Sequence, residues 1–320
     1  MSKSTIVSIG AAVQDVFLQD KLFAAHREDR GKFQELAVGS KNNIADVTVT
    51  TGGGASNAAV TFARHGYVSY FMGRLGKDVA AKVVLEDLHQ EQVHTSLVAY
   101  SKDKHTGYST ILLAPNGERT ILTYRGASEE YNLHIDDFKN MKPGWFYISS
   151  LTGDMASLKV ILAYARRHDI KVAINPGGGE LREHHQLREL LPYISILSVN
   201  KEEAQRLFEG TTSEELVRQA AKHVPAVIVT DGPKGSTAAA NGKIYKTGMY
   251  EDVKVVDRAG AGDAFSSGFV AVLAQGGTMV KAMTFASANS TSVVTKIGAK
   301  AGILHQNSHV HSMPVTITNL

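Results

Sequence analysis

At 320 residues with 43% apolar side chains, the chain can bury one large core without a partner, and its zero Cys exclude disulfides, thiolate nucleophiles and Cys-ligated zinc. A formal net charge of +3, with acidic and basic residues interleaved, leaves no footprint for nucleic acid. No apolar run reaches membrane-span length and "MSKSTIVSIG" turns straight into a short apolar strand, so the expectation is a soluble cytoplasmic protein with no membrane partner.

In chain order, "TIVSIG" (5–10) reads as a buried strand, and residues 16–50 are polar and charged with little helical period. "TTGGGASNAAVTFARHG" (50–66) carries three glycines into an apolar-faced helix near 55–65. A strand at 68–73 and a helix near 78–90 follow, and residues 106–125 read as a hairpin around Asn116–Gly117, a dipeptide suited to a type I′ turn. Strands at 145–150, 171–175, 194–200 and 226–232 then alternate with helices near 154–168, 201–208 and 213–222. Beyond them "STAAANGKIYKT" reads as a hairpin turned at Asn241–Gly242.

Strand, crossover helix and strand in succession predict an α/β fold: a Rossmann-like, mostly parallel sheet flanked by helices. A single domain over 1–320 is expected, with the excursions at about 16–50 and 106–125 forming a small β-sheet lid over one sheet edge.

Several chemistries are excluded by motif. There is no Walker-type G-x-x-x-x-G-K-[ST], since "GRLGKD" (73–78) and "GPKGST" (232–237) miss the spacing, and there is neither H-E-x-x-H nor G-x-S-x-G. The 13 His are scattered and suggest no imidazole-held metal. Three glycine-rich stretches remain, at 52–54, at "TDGPKGS" (230–236) and at "DRAGAGDAFSSGF" (257–269). In the last, Gly260, Ala261 and Gly262 are small enough for successive N–H groups to face one anion at the start of a helix. Asp263 on the first turn reads either as a capping acid or as a catalytic one beside a phosphate cradle.

Taken together and in order, "GGGASNAAVTFARHG" and "DRAGAGDAFSSGF" resemble the two signatures of the ribokinase-like (PfkB) carbohydrate kinases. "GRLGKD", Asn200-x-x-Glu203, "TDGPKGS" and "KIGAKAG" (296–302) fall between and after them in the family's order. The resemblance implies a kinase that uses ATP and Mg²⁺ to phosphorylate a hydroxyl of a sugar or sugar-containing molecule. By position, it makes Asp263 the catalytic base and Gly260, Ala261 and Gly262 the anion hole. Asp15, Gly53 and Asn57 become substrate contacts, and Asn175, Thr230, Gly232 and Gly235 nucleotide contacts. Asn200 and Glu203 become the magnesium–phosphate pair, acting through water. That pair also has the spacing of a helix capping box, and both roles are compatible.

Similar kinases bind K⁺ in a loop that here would include Asp257 and Gly298, although Arg258 stands where the family usually carries Thr. The resemblance also allows a homodimer through the lid. On the substrate side, Val13-Gln14-Asp15 replaces Asn-x-Asp, Gly54 replaces a Lys, and Ser150 or Leu151 stands where a Glu is expected. Losing three polyol-binding side chains argues against free ribose and leaves room for a larger acceptor such as a nucleoside. The alternatives are a nucleoside kinase of the same fold or a catalytically inactive ligand sensor.

Overall fold

The computed structural model describes residues 4–29, 31–139, 141–250 and 253–320. It opens with β1 (Thr5–Ile9), β2 (Val13–Gln19), the short pair β3 (His26–Glu28) and β4 (Gly31–Phe33), and β5 (Asp46–Gly52). Next come α1 (Gly54–Arg64), β6 (Val68–Leu75), α2 (Val79–Gln90), β7 (His94–Tyr100), β8 (Gly107–Leu113) and β9 (Arg119–Tyr124). The middle of the chain holds β10 (Trp145–Ile148), α3 (Met155–Arg167), β11 (Lys171–Ile174), α4 (Gly178–Arg182), α5 (His184–Leu190) and β12 (Ile196–Asn200). It finishes with α6 (Lys201–Leu207), α7 (Ser213–Ala220), β13 (Ala226–Thr230), β14 (Ser236–Ala240), β15 (Lys243–Thr247), α8 (Ala261–Ala274), α9 (Met279–Val294) and β16 (Val315–Asn319).

Ten strands form one sheet in the order β16-β15-β14-β13-β12-β11-β10-β1-β6-β7. The strands from β13 to β7 are parallel, and β14, β15 and β16 close the other edge antiparallel. The inner strands are apolar on both faces because helices cover both. Val7, Ile9, Phe146, Ile148, Val172, Ile174 and Leu197 pack under α3 to α7, whereas Ile6, Tyr147, Ala173, Ile196 and Ile228 pack under α1, α8 and α9. Burying each large side chain contributes about 1.5–3 kcal/mol relative to exposure, so both layers are held firmly to the sheet. Parallel strands all end on the same side, and the loops after β1, β10, β11, β12 and β13 therefore share one rim.

A second sheet, ordered β5-β2-β8-β9, stands off this core. Its strands begin at Val13 and run through Gly52, three and two residues beyond the stretch expected from composition, because Val13 and Gly52 pair with each other at the sheet's root. Phe17, Ile111 and Leu113 on its inner face pack against Ala259 and Ile297 of the core, while Val47, Val49, Leu122 and Tyr124 stay exposed.

The β8–β9 turn is not the type I′ turn expected. Gly117 has φ +84°, but Asn116 is not in the left-handed region, and the Gly117 N–H donates to Ala114 O at 2.9 Å. Pro115 sets the second position of a type I turn, so Asn116 falls third and Gly117 forms the bulge that follows it. The type I′ geometry appears instead at the other Asn–Gly, where Asn241 and Gly242 have φ of 52° and 71° and Ala240 pairs with Lys243.

Candidate active site

The glycines decide where backbone crosses backbone at the rim. Gly53, before α1, has φ +94°, and a Cβ there would lie 2.5 Å from the Ala11 carbonyl oxygen. Gly260, before α8, has φ +74°, and a Cβ there would lie 2.4 Å from that of Ala299. Only glycine fits both conditions at either place. Gly262, by contrast, faces open space within 4 Å. The start of α8 has no side-chain cap; the Ala261 N–H makes a long bond to Arg258 O at 3.4 Å, and the N–H groups that follow it are placed to meet an anion.

Asp263 is the third residue of α8 and does not cap it. Its Oδ2 accepts a hydrogen bond from Asn57 Nδ2 on α1 at 2.8 Å, joining two residues 206 apart in sequence. Burial pushes the Asp263 carboxyl above the ordinary carboxylate range, and the Asn57 amide offsets part of that rise. Asn57 is buried, and its Oδ1 has no protein partner. Ser149, just past β10, was not singled out from sequence. Its Oγ and Asp263 Oδ1 lie 2.2 and 3.1 Å from where a Gly54 side chain would begin, so the serine fills the space that a longer residue at 54 would need.

Asp15 projects from β2 beside Gly52, on the face that also carries Phe17. Burial pushes its carboxyl up to about 6, against the pull of the Ser109 hydroxyl and the Lys300 ammonium, and Asp257 adds to the rise. Near Ser150 an acid is present after all, supplied by α4. Glu180 accepts the N–H groups of Leu151, Gly153 and Gly177 at 2.9, 2.7 and 2.8 Å and the Ser150 hydroxyl at 3.0 Å. With both oxygens engaged, Glu180 shapes the loop and has little capacity left for a ligand.

Thr230, Gly232, Gly235, Ala261 and Gly262 line one cavity of about 160 Å³ with Phe265 and Thr291. Two of the three glycine-rich stretches, 230–236 and 257–269, thus meet in one recess at the α8 N-terminus. Asn175 lies at the end of β11 and donates from Nδ2 to Ser198 O at 2.9 Å. Asn200 and Glu203 form the reciprocal capping box: the Asn200 N–H donates to Glu203 Oε2 at 2.8 Å and the Glu203 N–H to Asn200 Oδ1 at 2.9 Å. Burial raises the Glu203 carboxyl, the Asn200 N–H and Arg206 hold it back, and the charge of Asp263 raises it further. Two carboxylates that repel one another beside an anion recess suit a divalent cation, which would favour both ionised forms.

Asp257 and Gly298 are also brought together behind the cradle, where the buried Asp257 carboxylate accepts the Gly298 N–H at 3.1 Å and the Ala259 N–H at 3.0 Å. Among the described residues, no helix is long and apolar enough to cross a membrane.

Comparison with known proteins shows the family and the fold. Residues 4–306 match the family described as pfkB family carbohydrate kinase. A ribokinase of Arabidopsis thaliana is 29% identical over 261 residues, covering 78% of this chain and 68% of that protein. The solved Arabidopsis thaliana ribokinase complexed with ribose and ATP superposes with a TM-score of 0.75 at 24% identity, covering 96% of this chain and 97% of that one. A nucleoside kinase of Methanocaldococcus jannaschii gives a TM-score of 0.74 at 22% identity, covering 94% and 95%.

Proposed function

The chain belongs to the pfkB family of carbohydrate kinases, and from that premise we propose that Asp263 deprotonates an acceptor hydroxyl, whose oxygen takes the phosphoryl group as ADP leaves, while the Gly260–Gly262 amides stabilise the charge on the group in transit. The activity is transfer of the γ-phosphoryl group of ATP to an alcohol group of a sugar or nucleoside. The observation that carries the assignment is the Asn57–Asp263 hydrogen bond, because it fixes the acid at the cradle and away from a capping role.

Phosphoryl transfer gathers charge on the equatorial oxygens, so preoriented N–H dipoles at the α8 N-terminus act where that charge grows. Asn57 holds Asp263 toward the acceptor, and Asp263 takes the proton as the new bond forms. The raised carboxyl of Asp263 brings its basicity nearer to neutral pH than an exposed Asp would offer. Thr230, Gly232 and Gly235 bound the nucleotide side of the recess, and Asn175 sits at the same rim. Asn200 and Glu203 are the residues that would hold a magnesium ion, which would neutralise charge on the phosphates.

Asp15, Ser149 and the unpartnered Asn57 Oδ1 are the groups available to acceptor hydroxyls. Glu180 is committed to the backbone, and no long cationic side chain fits at Gly54. Free ribose is therefore not the preferred acceptor in this reading, and a nucleoside or other substituted sugar is. A coupled assay comparing pentoses, hexoses and nucleosides with ATP and magnesium tests it, and the highest catalytic efficiency on ribose would overturn the acceptor assignment.

The Asp15 carboxyl at about 6 gives that assay a pH signature. A carboxylate accepts two hydroxyl hydrogen bonds and its acid form does not, so acceptor kcat/KM rises as pH passes upward through about 6 and then levels. Stability moves the other way: burial favours the neutral acid, so the stability linked to this group is fully present below its ordinary 3.8 and is lost by about 6. In Asp15→Asn, kcat/KM is lower and this rising limb is absent; a limb that persists assigns the titration to another group.

A further inference from the structure

The family resemblance implies a monovalent cation beside Asp257 and Gly298, and the residues present do not fit one. Asp257 has no exposed side-chain surface, both of its oxygens already accept backbone N–H groups, and the cation paired with it is a side chain. Arg119, the first residue of β9, places Nε 3.7 Å from Asp257 Oδ1. That Nε is buried and has no hydrogen-bond partner, so its reason for being there is the charge of the carboxylate. A potassium ion at the same carboxylate would stand next to the guanidinium and be repelled by it.

We propose that Arg119 takes the place of the monovalent cation, neutralising Asp257 from the second sheet so that phosphoryl transfer here needs no potassium. The inference rests on the reading of Gly260–Gly262 as the anion hole.

The connection from Arg119 to the hole is physical at each step. Arg119 lies opposite Leu113 in the β8–β9 register, and Leu113 packs with Phe17 and Ile111 against Ala259 and Ile297. This apolar cover lies beside the carboxylate end of the ion pair, where Asp257 has no exposed side-chain surface, while the Arg119 side chain keeps 23% of its surface open to solvent. Asp257 in turn holds the Ala259 and Gly298 N–H groups, which belong to the two loops that meet behind the hole. Gly298 presses on Thr50 of β5, where a Cβ would lie 3.0 Å from the threonine side chain, and Ala299 presses on Gly260. Arg119 is thus a positioning residue. It acts through Asp257 on the aim of the cradle amides, and it ties their order to the seating of the second sheet. Arg258, which stands in the family's usual Thr position, is exposed and leaves the role to Arg119.

The experiment compares the parent, Arg119→Ala and Arg119→Lys in choline chloride and in KCl at equal ionic strength. The parent is expected to turn over equally in both salts. Arg119→Ala loses roughly tenfold or more in kcat in choline, with little change in KM for ATP, and recovers a large part of the loss in KCl, as an aimed donor that is misplaced and then restored should. Arg119→Lys keeps most of the activity in both salts. A second readout is independent of catalysis: KCl raises the melting temperature of Arg119→Ala over choline chloride and leaves that of the parent unchanged. A parent that needs potassium, an Arg119→Ala variant as active as the parent, or one that neither salt rescues overturns the proposal. If no acceptor supports turnover in the parent, the kinase reading has failed, while the melting comparison still decides whether Arg119 occupies the cation's place.

Discussion

Asp263→Asn is expected to lower turnover by roughly two to four orders of magnitude, the range for a lost general base. The substitution keeps the shape of the site, since the new amide oxygen can still accept from Asn57 Nδ2 as Asp263 Oδ2 does. What disappears is the proton acceptor beside the cradle. ATP binding should hold or tighten, because a negative charge near the transferring phosphoryl group is gone. Thermal stability should hold or rise, because burial already disfavours the Asp263 carboxylate in the folded state. Steady-state kinetics, ATP titration and a melting curve on the two proteins read all three. Turnover within a fewfold of the parent would remove Asp263 from the chemistry.

Gly260→Ala is expected to cost roughly 10²–10³ in turnover, comparable to removing an aimed anion-hole donor. The new methyl would fall 2.4 Å from Ala299 Cβ and 2.7 Å from Ala299 Cα, and the residue would have to hold φ +74°. The left-handed conformation alone costs about 1–2 kcal/mol for a residue with a side chain, so the melting temperature falls as well. The contact with backbone cannot be relieved by a rotamer change, and the first turn of α8 must shift with its N–H groups. Gly262→Ala is the control. Nothing lies within 4 Å of its Cβ and its φ is not positive, so the fold tolerates the methyl and any effect appears in KM for ATP. Equal melting and equal turnover for Gly260→Ala and the parent would refute the requirement for glycine at the cradle.

The layered α/β core was legible because burial on both faces makes its strands short continuous apolar runs, and the amphipathic helices between them carry a different period. The strands at 5–9, 68–75, 145–148, 171–174, 196–200 and 226–230 and the helices 54–64, 79–90, 155–167, 201–207 and 213–220 lie where those patterns place them. The edge strands β7 and β16 were not anticipated, since edge positions alternate or stay polar and lack the continuous run. Asn116–Gly117 misled because a dipeptide preference is overruled by the proline before it.

The sequence by itself determined the parts of the site that depend on backbone. A helix N-terminus with free amides needs small residues next to each other in the chain, so Gly260–Ala261–Gly262–Asp263 announces itself locally, as do the Gly52–Gly54 run and the Asn200–Glu203 capping pair. Side chains that act on those parts from other elements leave no local mark. Ser149, Glu180, Lys300 and Arg119 are ordinary polar residues in their own segments, yet Lys300 is buried against Asp87 at 2.8 Å, and Arg119 reaches from the second sheet to Asp257 in the loop before α8. Only the tertiary structure decided these, because a buried charge selects its partner by distance in space. Strand register and sheet packing set that distance, and they bring together residues that the chain keeps far apart.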